Sequence, residues 1–162
     1  VKFVVAEDQV MFRSLLVKTL IDECMATEVK AYGSLAELRS HLKDLAGVNL
    51  LLLDIRLPDG DGVDFVAELT KAHVEVPVLL LSSSLDDYVV HRVSRSFVQG
   101  FVHKDDEPRV LLTAIQILSA GGSFFSSRYQ KRVRELADSA DSFEKLLSGR
   151  EQEVLRNLAA GY

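Results

Sequence analysis

Three short stretches of this 162-residue chain are apolar at every position: Phe3 to Ala6, Leu50 to Leu53 and Val78 to Leu81. A strand that shows one side to water alternates apolar with polar residues. A strand with no polar position on either side must be covered on both faces, the condition met in a parallel sheet with helices above and below. Val29 to Tyr32 and Gly100 to His103 complete five strand candidates. Between them the apolar residues recur at helical spacing. Phe12, Leu15, Leu16, Thr19 and Leu20 form one stripe, Leu35, Leu38 and Leu42 a second, and Val63, Val66 and Leu69 with Ala67 a third; Tyr88 to Phe97 and Val110 to Leu118 are two further helices. Five βα units joined by short loops require right-handed crossovers, and so an α/β, doubly wound, five-stranded parallel sheet.

Composition narrows the class further. With 48% hydrophobic and 27% charged residues and a mean hydropathy of +0.12, the chain is neither disordered nor collagen-like. Its apolar runs are far shorter than the ~20 residues of a membrane helix, and no secretory signal is expected. Cys24 stands alone, so no internal disulfide or zinc site can form and a reducing cytoplasm is the expected compartment. Charge is uneven. Residues 1–120 hold 12 Lys and Arg against 18 Asp and Glu, whereas residues 121–162 hold 7 against 6. The acidic part is a poor nucleic-acid binder.

Beyond the last strand unit, Gly121-Gly122 ends the fifth helix. Ser126 to Ala137 reads as a short helix with Tyr129, Val133 and Leu136 on one stripe. Arg128, Lys131, Arg132 and Arg134 form its other, solvated face. A polar stretch, Asp138 to Ser142, resembles a linker, and a last helix is expected from Ser148, capped reciprocally with Glu151. Its stripe is Val154, Leu155 and Leu158.

Ligands of doubly wound sheets bind at the carboxyl ends of the strands. In this chain those ends carry Glu7 and Asp8, Asp54, Ser82 and Lys104. Two carboxylates about 4 Å apart repel by roughly 4 kcal/mol at an effective dielectric of 20, so the cluster calls for a cation. All-oxygen donors suit Mg²⁺, which takes phosphate oxygens as further ligands. A phosphoryl group attacked by Asp54 would then share its oxygens among the metal, the Lys104 ammonium and the Ser82 hydroxyl. Each residue also has a plain structural explanation. Asp8 can cap a helix, Asp54 can sit in a turn before Leu57-Pro58-Asp59-Gly60, and Lys104 can be a loop lysine. Ser84 is expected to cap the fourth helix with Asp87, which leaves Ser82 to face the site. The order acid, acid, hydroxyl, amine over four strand ends favours the functional explanation.

These residues also resemble a response-regulator receiver domain. The resemblance rests on Val4-Val5-Ala6-Glu7-Asp8, on Leu52-Leu53-Asp54-Ile55-Arg56-Leu57-Pro58-Asp59-Gly60-Asp61-Gly62, on Leu80-Leu81-Ser82-Ser83 and on Gly100-Phe101-Val102-His103-Lys104. Residues 146–161 resemble the opening of a LuxR-type helix-turn-helix domain, as in the NarL/FixJ branch of transcriptional regulators. The resemblance implies a flavodoxin-like strand order 2-1-3-4-5, a receiver over 1–120, a linker over 121–145 and the start of a DNA-binding domain over 146–162. It implies phosphorylation of Asp54 by a sensor histidine kinase or a small phosphodonor, with Mg²⁺ held by Glu7 or Asp8, Asp54 and the Arg56 carbonyl. Ser82 and Phe101 would form the switch pair that alters the face of the fourth helix, fifth strand and fifth helix. Dimerisation on activation and DNA binding by the parent protein follow from the same resemblance.

The chain departs from the family pattern at several points. Phe101 lacks a hydroxyl to draw it outward, so an inward ring is expected. Glu7 is one methylene longer than aspartate and would act on the metal through water. Arg56 would lie across the site and slow water attack. Helix-turn-helix readout needs a recognition helix in the major groove, and nothing after Tyr162 supplies one, so this chain is expected not to bind DNA specifically. Its final helix would pack on the receiver or on a second copy. Two other functions are weaker. A haloacid-dehalogenase-type hydrolase needs a second acid two residues after the nucleophile, where Arg56 stands. A phosphorylation-independent interaction module would have lost the acid cluster or Lys104.

Overall fold

The computed structural model describes residues 1–146, 154 and 156–158. Expectations for Ser148, Glu151 and Leu155, and with them most of the helix-turn-helix resemblance, lie outside the described residues. Val154 and Leu158, from the same stripe, are exposed. Among the described residues no helix is long and apolar enough to cross a membrane.

The chain runs β1 (Lys2–Ala6), α1 (Val10–Asp22), β2 (Glu28–Tyr32), α2 (Leu35–Ser40), a 3₁₀ turn (Leu42–Leu45) and β3 (Leu50–Asp54). A two-rung hairpin follows, β4 (Arg56–Leu57) and β5 (Gly60–Asp61), then α3 (Gly62–Lys71), β6 (Val78–Ser82), α4 (Asp87–Ser94), β7 (Gly100–His103) and α5 (Pro108–Ser119). β8 (Phe124–Phe125) and α6 (Ser127–Leu146) complete it. The main sheet is parallel throughout, in the order β2-β1-β3-β6-β7-β8. The five expected strands therefore stand in the expected order, with a sixth added at the edge. β8 carries too short an apolar run to announce itself; Phe124 N donates to Gln99 O and Ser126 N to Phe101 O, which satisfies the outer side of β7.

Alternation along the strands divides the core in two. Val4, Ala6, Leu51, Leu53, Leu80 and Phe101 face α2, α3 and α4, with Tyr129 of α6 in the same cluster. Val5, Leu50, Leu52, Leu79, Leu81 and Val102 face Leu16 and Leu20 of α1 and Ala114, Ile115 and Leu118 of α5. Both faces of β3 and β6 are thus covered, as their unbroken apolar runs require.

Three local expectations are corrected. The cap of α4 is Asp86, which accepts from Val89 N at 2.9 Å, and Ser84 instead donates its hydroxyl to Asp86 at 3.1 Å. A carboxylate is the stronger acceptor for an amide at the positive end of a helix. α4 also stops at Ser94 rather than Phe97, because the Ser94 and Ser96 hydroxyls turn back onto the carbonyls of His91 and Val93. Finally, Asp138 to Ser142 is helical: α6 runs unbroken from Ser127 to Leu146 with no glycine or proline inside it. Gly121, at φ +87°, and Gly122 close α5 as expected, Gly122 N donating to Ile117 O at 2.9 Å.

Candidate functional site

The strand ends do converge. Asp54 ends β3 with 4% of its surface exposed. Its Oδ1 accepts from Arg56 N at 3.0 Å and its Oδ2 lies 2.8 Å from Lys104 Nζ. The hairpin beyond it folds back so closely that a Cβ on Gly62 would fall 2.4 Å from the Asp54 carbonyl oxygen. Glycine is therefore obligatory there, and Gly62 N donates to Ile55 O at 2.7 Å. Asp61 then starts α3 by accepting from Val63 N.

Glu7 is fully buried after β1. Its Oε1 accepts from Gln9 N at 2.9 Å. Its Oε2 lies 2.7 Å from Lys104 Nζ, yet off the hydrogen-bonding direction, so that oxygen has an ionic neighbour and no aligned donor. Lys104 thus serves two buried carboxylates at once. The exposed Asp8 brings a third, and carboxylate oxygens of Glu7, Asp8 and Asp54 all lie within 4.8 Å of one another. Burial pushes the Glu7 carboxyl above its usual range, against the lowering contacts with Lys104 and Gln9 N. Burial pulls the Lys104 ammonium down, but its hydrogen bond to Asp54 and the negative charge of Asp54 and Glu7 outweigh that and raise it overall. Three acids with one ammonium leave an excess of negative charge. With hard oxygen donors and one buried oxygen lacking a donor, the residues fit a divalent cation such as Mg²⁺.

Ser82 is buried at the end of β6, but its hydroxyl is turned into its own loop. It donates to Ser84 O at 2.9 Å and accepts from Ser84 N at 3.1 Å. The chain thus brings Glu7, Asp8, Asp54 and Lys104 together and leaves Ser82 beside them without a bond to Asp54. The Arg56 side chain reaches away to Asp86, 3.5 Å distant, and is two-thirds exposed. Phe101 is wholly buried, its ring 5.0 Å from that of Tyr129.

Three residues of the site escaped the sequence reading. Phe12 belongs to the apolar stripe of α1, yet its ring centroid lies 5.0 Å from Lys104 Nζ, a cation–π contact. Arg13 donates to the Glu7 carbonyl at 2.7 Å, holding the acidic pair from α1. Asp106 accepts from His103 N at 3.1 Å, bracing the turn that contains Lys104. Only spatial proximity reveals the first two; the Lys104-Asp105-Asp106 sequence hinted at the third as a turn signal.

The model of the response regulator receiver domain matches residues 3–116. The chain belongs to this family. The receiver is 31% identical over 115 residues to the Fimbriae Z protein of Escherichia coli, an alignment covering 70% of this chain and 55% of that protein. It is 29% identical over 160 residues to Nodulation protein W of Bradyrhizobium diazoefficiens, covering 98% and 66%. The chain therefore spans about half to two thirds of the length of these curated relatives. Among solved structures, the isolated receiver domain of RcsB from Salmonella enterica, with the phosphomimetic BeF₃⁻, superposes with a TM-score of 0.73 at 19% identity, covering 81% of this chain and 96% of that one. A structure of the RcsB response regulator of Salmonella typhimurium gives 0.80 at 22%, covering 99% and 78%. These likenesses establish the receiver fold.

Proposed function

We propose that this receiver takes a phosphoryl group onto Asp54 from the phosphohistidine of a sensor kinase, or from a small acyl phosphate, and so controls a transcriptional output. The observation that carries the reading is the Asp54 carboxylate held at 2.8 Å by Lys104 inside an acidic cluster. An Asp54 oxygen attacks phosphorus, the N–P bond breaks, and its electron pair returns to the imidazole nitrogen, leaving an acyl phosphate. Arg56 N, bonded to Oδ1, fixes the carboxylate while Oδ2 is presented toward the cation. Lys104 is already in place to follow the negative charge onto the phosphoryl oxygens. Ser82 contributes only after its hydroxyl leaves Ser84 O. Mg²⁺ held by Glu7 or Asp8, Asp54 and the Arg56 carbonyl would neutralise charge on the transferred group. No external substrate is turned over in this scheme; the chemistry is confined to making and hydrolysing phosphoaspartate.

The remaining assignments belong to the same proposal. Residues 1–120 are the receiver, 121–145 a connecting segment and 146–162 the opening of a LuxR-type DNA-binding domain, in a cytoplasmic protein that dimerises on phosphorylation. The alignment with Nodulation protein W, which continues beyond the receiver, supports the extra domain. Among the solved relatives, RcsB is described bound to promoter DNA and as dimers on DNA, which supports a DNA-directed output for the parent of this chain.

Intact-mass measurement after incubation with acetyl phosphate and Mg²⁺ tests the proposal. A gain of about 80 Da in the native chain, absent in Asp54→Asn, is expected for a single phosphoaspartate. An unmodified native chain, or equal labelling of both proteins, overturns it.

A further inference from the structure

A groove of about 500 Å³ runs between α3 and α4, and none of its lining residues belongs to the acidic cluster. That volume lies within the range of small-molecule sites. On the α3 side the lining extends from Val63 to Lys71, about 12 Å of helix. Val63 and Val66 are buried in its floor beside the exposed Ala67. Phe97, just past the end of α4, lines the same groove and is 79% exposed. The two ends differ in charge. Near the start of α3, Arg92 pairs with Asp64 and lies 3.6 Å from Asp61. Toward the other end, Lys71 closes α3 and Arg95 closes α4, and neither makes an ion pair with a described residue. Cations at helix C-termini complement the helix dipole, which accounts for their sign. It does not account for an aromatic ring left in water beside them, over an apolar floor, in a receiver that holds 12 Lys and Arg against 18 Asp and Glu.

We propose that the α3–α4 groove binds a small amphiphilic anion, an aliphatic carboxylate of medium length, with its head at Lys71 and Arg95 and its chain over Val66 and Val63 beside Phe97. The guanidinium of Arg95 can grip both carboxylate oxygens, and the Lys71 ammonium adds a second charge. Asp64 already neutralises Arg92 at the far end, so only one end attracts an anion, and this sets the direction of the ligand. The chain then buries apolar surface on the valines and on the Phe97 ring. A partner helix of the same length, about 10 Å across, would fill roughly 900 Å³. That is nearly twice the groove, so a single extended chain fits it better. A cationic amphiphile would bring its charge against two like charges. Nothing in this inference draws on the chemistry of Asp54, and it stands or falls without it.

The test titrates the chain of residues 1–162 with decanoate, below its micellar concentration, and follows amide chemical shifts. Half-saturation is expected below about 1 mM, with the shifts confined to α3, α4 and the turn at Phe97. Acetate has the head without the chain, and decylamine has the chain with the opposite charge. Each should bind at least about fivefold more weakly than decanoate. Arg95→Glu should weaken decanoate about three- to tenfold, and adding Lys71→Glu should reverse the preference in favour of decylamine. Phe97→Ser should weaken decanoate and decylamine alike. All three side chains are exposed, so the melting temperatures should stay within about two degrees of the native value. Decanoate that has not half-saturated the chain by about 1 mM overturns the inference. So do shifts centred on α1 and α5, decylamine binding as tightly as decanoate, or unchanged decanoate affinity in the double variant. Tighter binding of an Asp- and Glu-rich amphipathic helical peptide than of decanoate also overturns it, and makes the groove a protein interface.

Discussion

At the β2 edge of the sheet, Asp59 from the hairpin that follows Asp54 accepts from the backbone amides of Leu35 and Ala36, at 2.9 and 2.7 Å, and so fastens that hairpin to the start of α2. At the β8 edge, the loops carrying Ser82 and Lys104 are held to α6 by arginine side chains, with an aromatic ring between them. The first joint is made by main-chain donors fixed by the first turn of α2. The second is made by flexible side chains whose pairing depends on where two acidic turns happen to lie. The buried part of the α6 attachment is the apolar contact of Tyr129, and the arginine pairs form its more exposed part.

Tyr129→Ala tests that division most severely. Removing a ring that is only 6% exposed, between two other aromatics, should cost about 3 kcal/mol. In urea, α6 should lose its protection well before the sheet unfolds, while the amides of Leu35 and Ala36 stay protected. A loss below about 1 kcal/mol, with α6 still protected, would place the attachment elsewhere.

The asymmetry between the edges also explains what could be read from the sequence. The unbroken apolar runs Leu50 to Leu53 and Val78 to Leu81 require cover on both faces, and this alone determines a doubly wound sheet with its ligand site at the carboxyl ends. Asp54 and Lys104 lie at the ends of such strands, so their meeting followed from topology. The orientation of the Ser82 hydroxyl did not, because Ser84 and Asp86 compete for the same turn and only the backbone path decides which side chain caps α4. The arginines of α6 look like a solvated face in the sequence, since their partners Asp87 and Asp106 are remote along the chain and helical periodicity reports only the apolar stripe. β8 is two residues long and leaves no periodic trace. Local pattern was therefore sufficient for the element cores, and insufficient for contacts whose two halves come from different loops.

The β2 joint has its own signature in acid. The amides of Leu35 and Ala36 hold the Asp59 carboxyl below its ordinary value, so the folded protein binds that proton less readily than the unfolded chain. Its contribution is present above the unfolded value, about 3.9, and is lost as pH falls through the lower folded value. Asp59→Asn should melt a few degrees lower than the native protein at pH 6, and the gap should close toward pH 2. The opposite trend, with the gap widening in acid, would show that the amide contacts do not favour the charged form.

The smallest effect is expected from the pair that bridges α2 and α3. Arg39 meets Glu68 in a two-pronged contact at 2.9 and 2.7 Å, with both side chains nearly half exposed. Its geometry is better than that of either α6 pair, yet water screens it, and Arg39 also lies 5.9 Å over the buried Phe65 ring. Glu68→Gln should therefore shift the melting temperature by no more than about two degrees at physiological salt, and somewhat more at low salt, where screening weakens. It should leave beryllofluoride affinity unchanged, because neither residue touches the Ser82 or Lys104 loop. A drop of more than about five degrees at physiological salt would show that water does not screen this pair as its exposure requires.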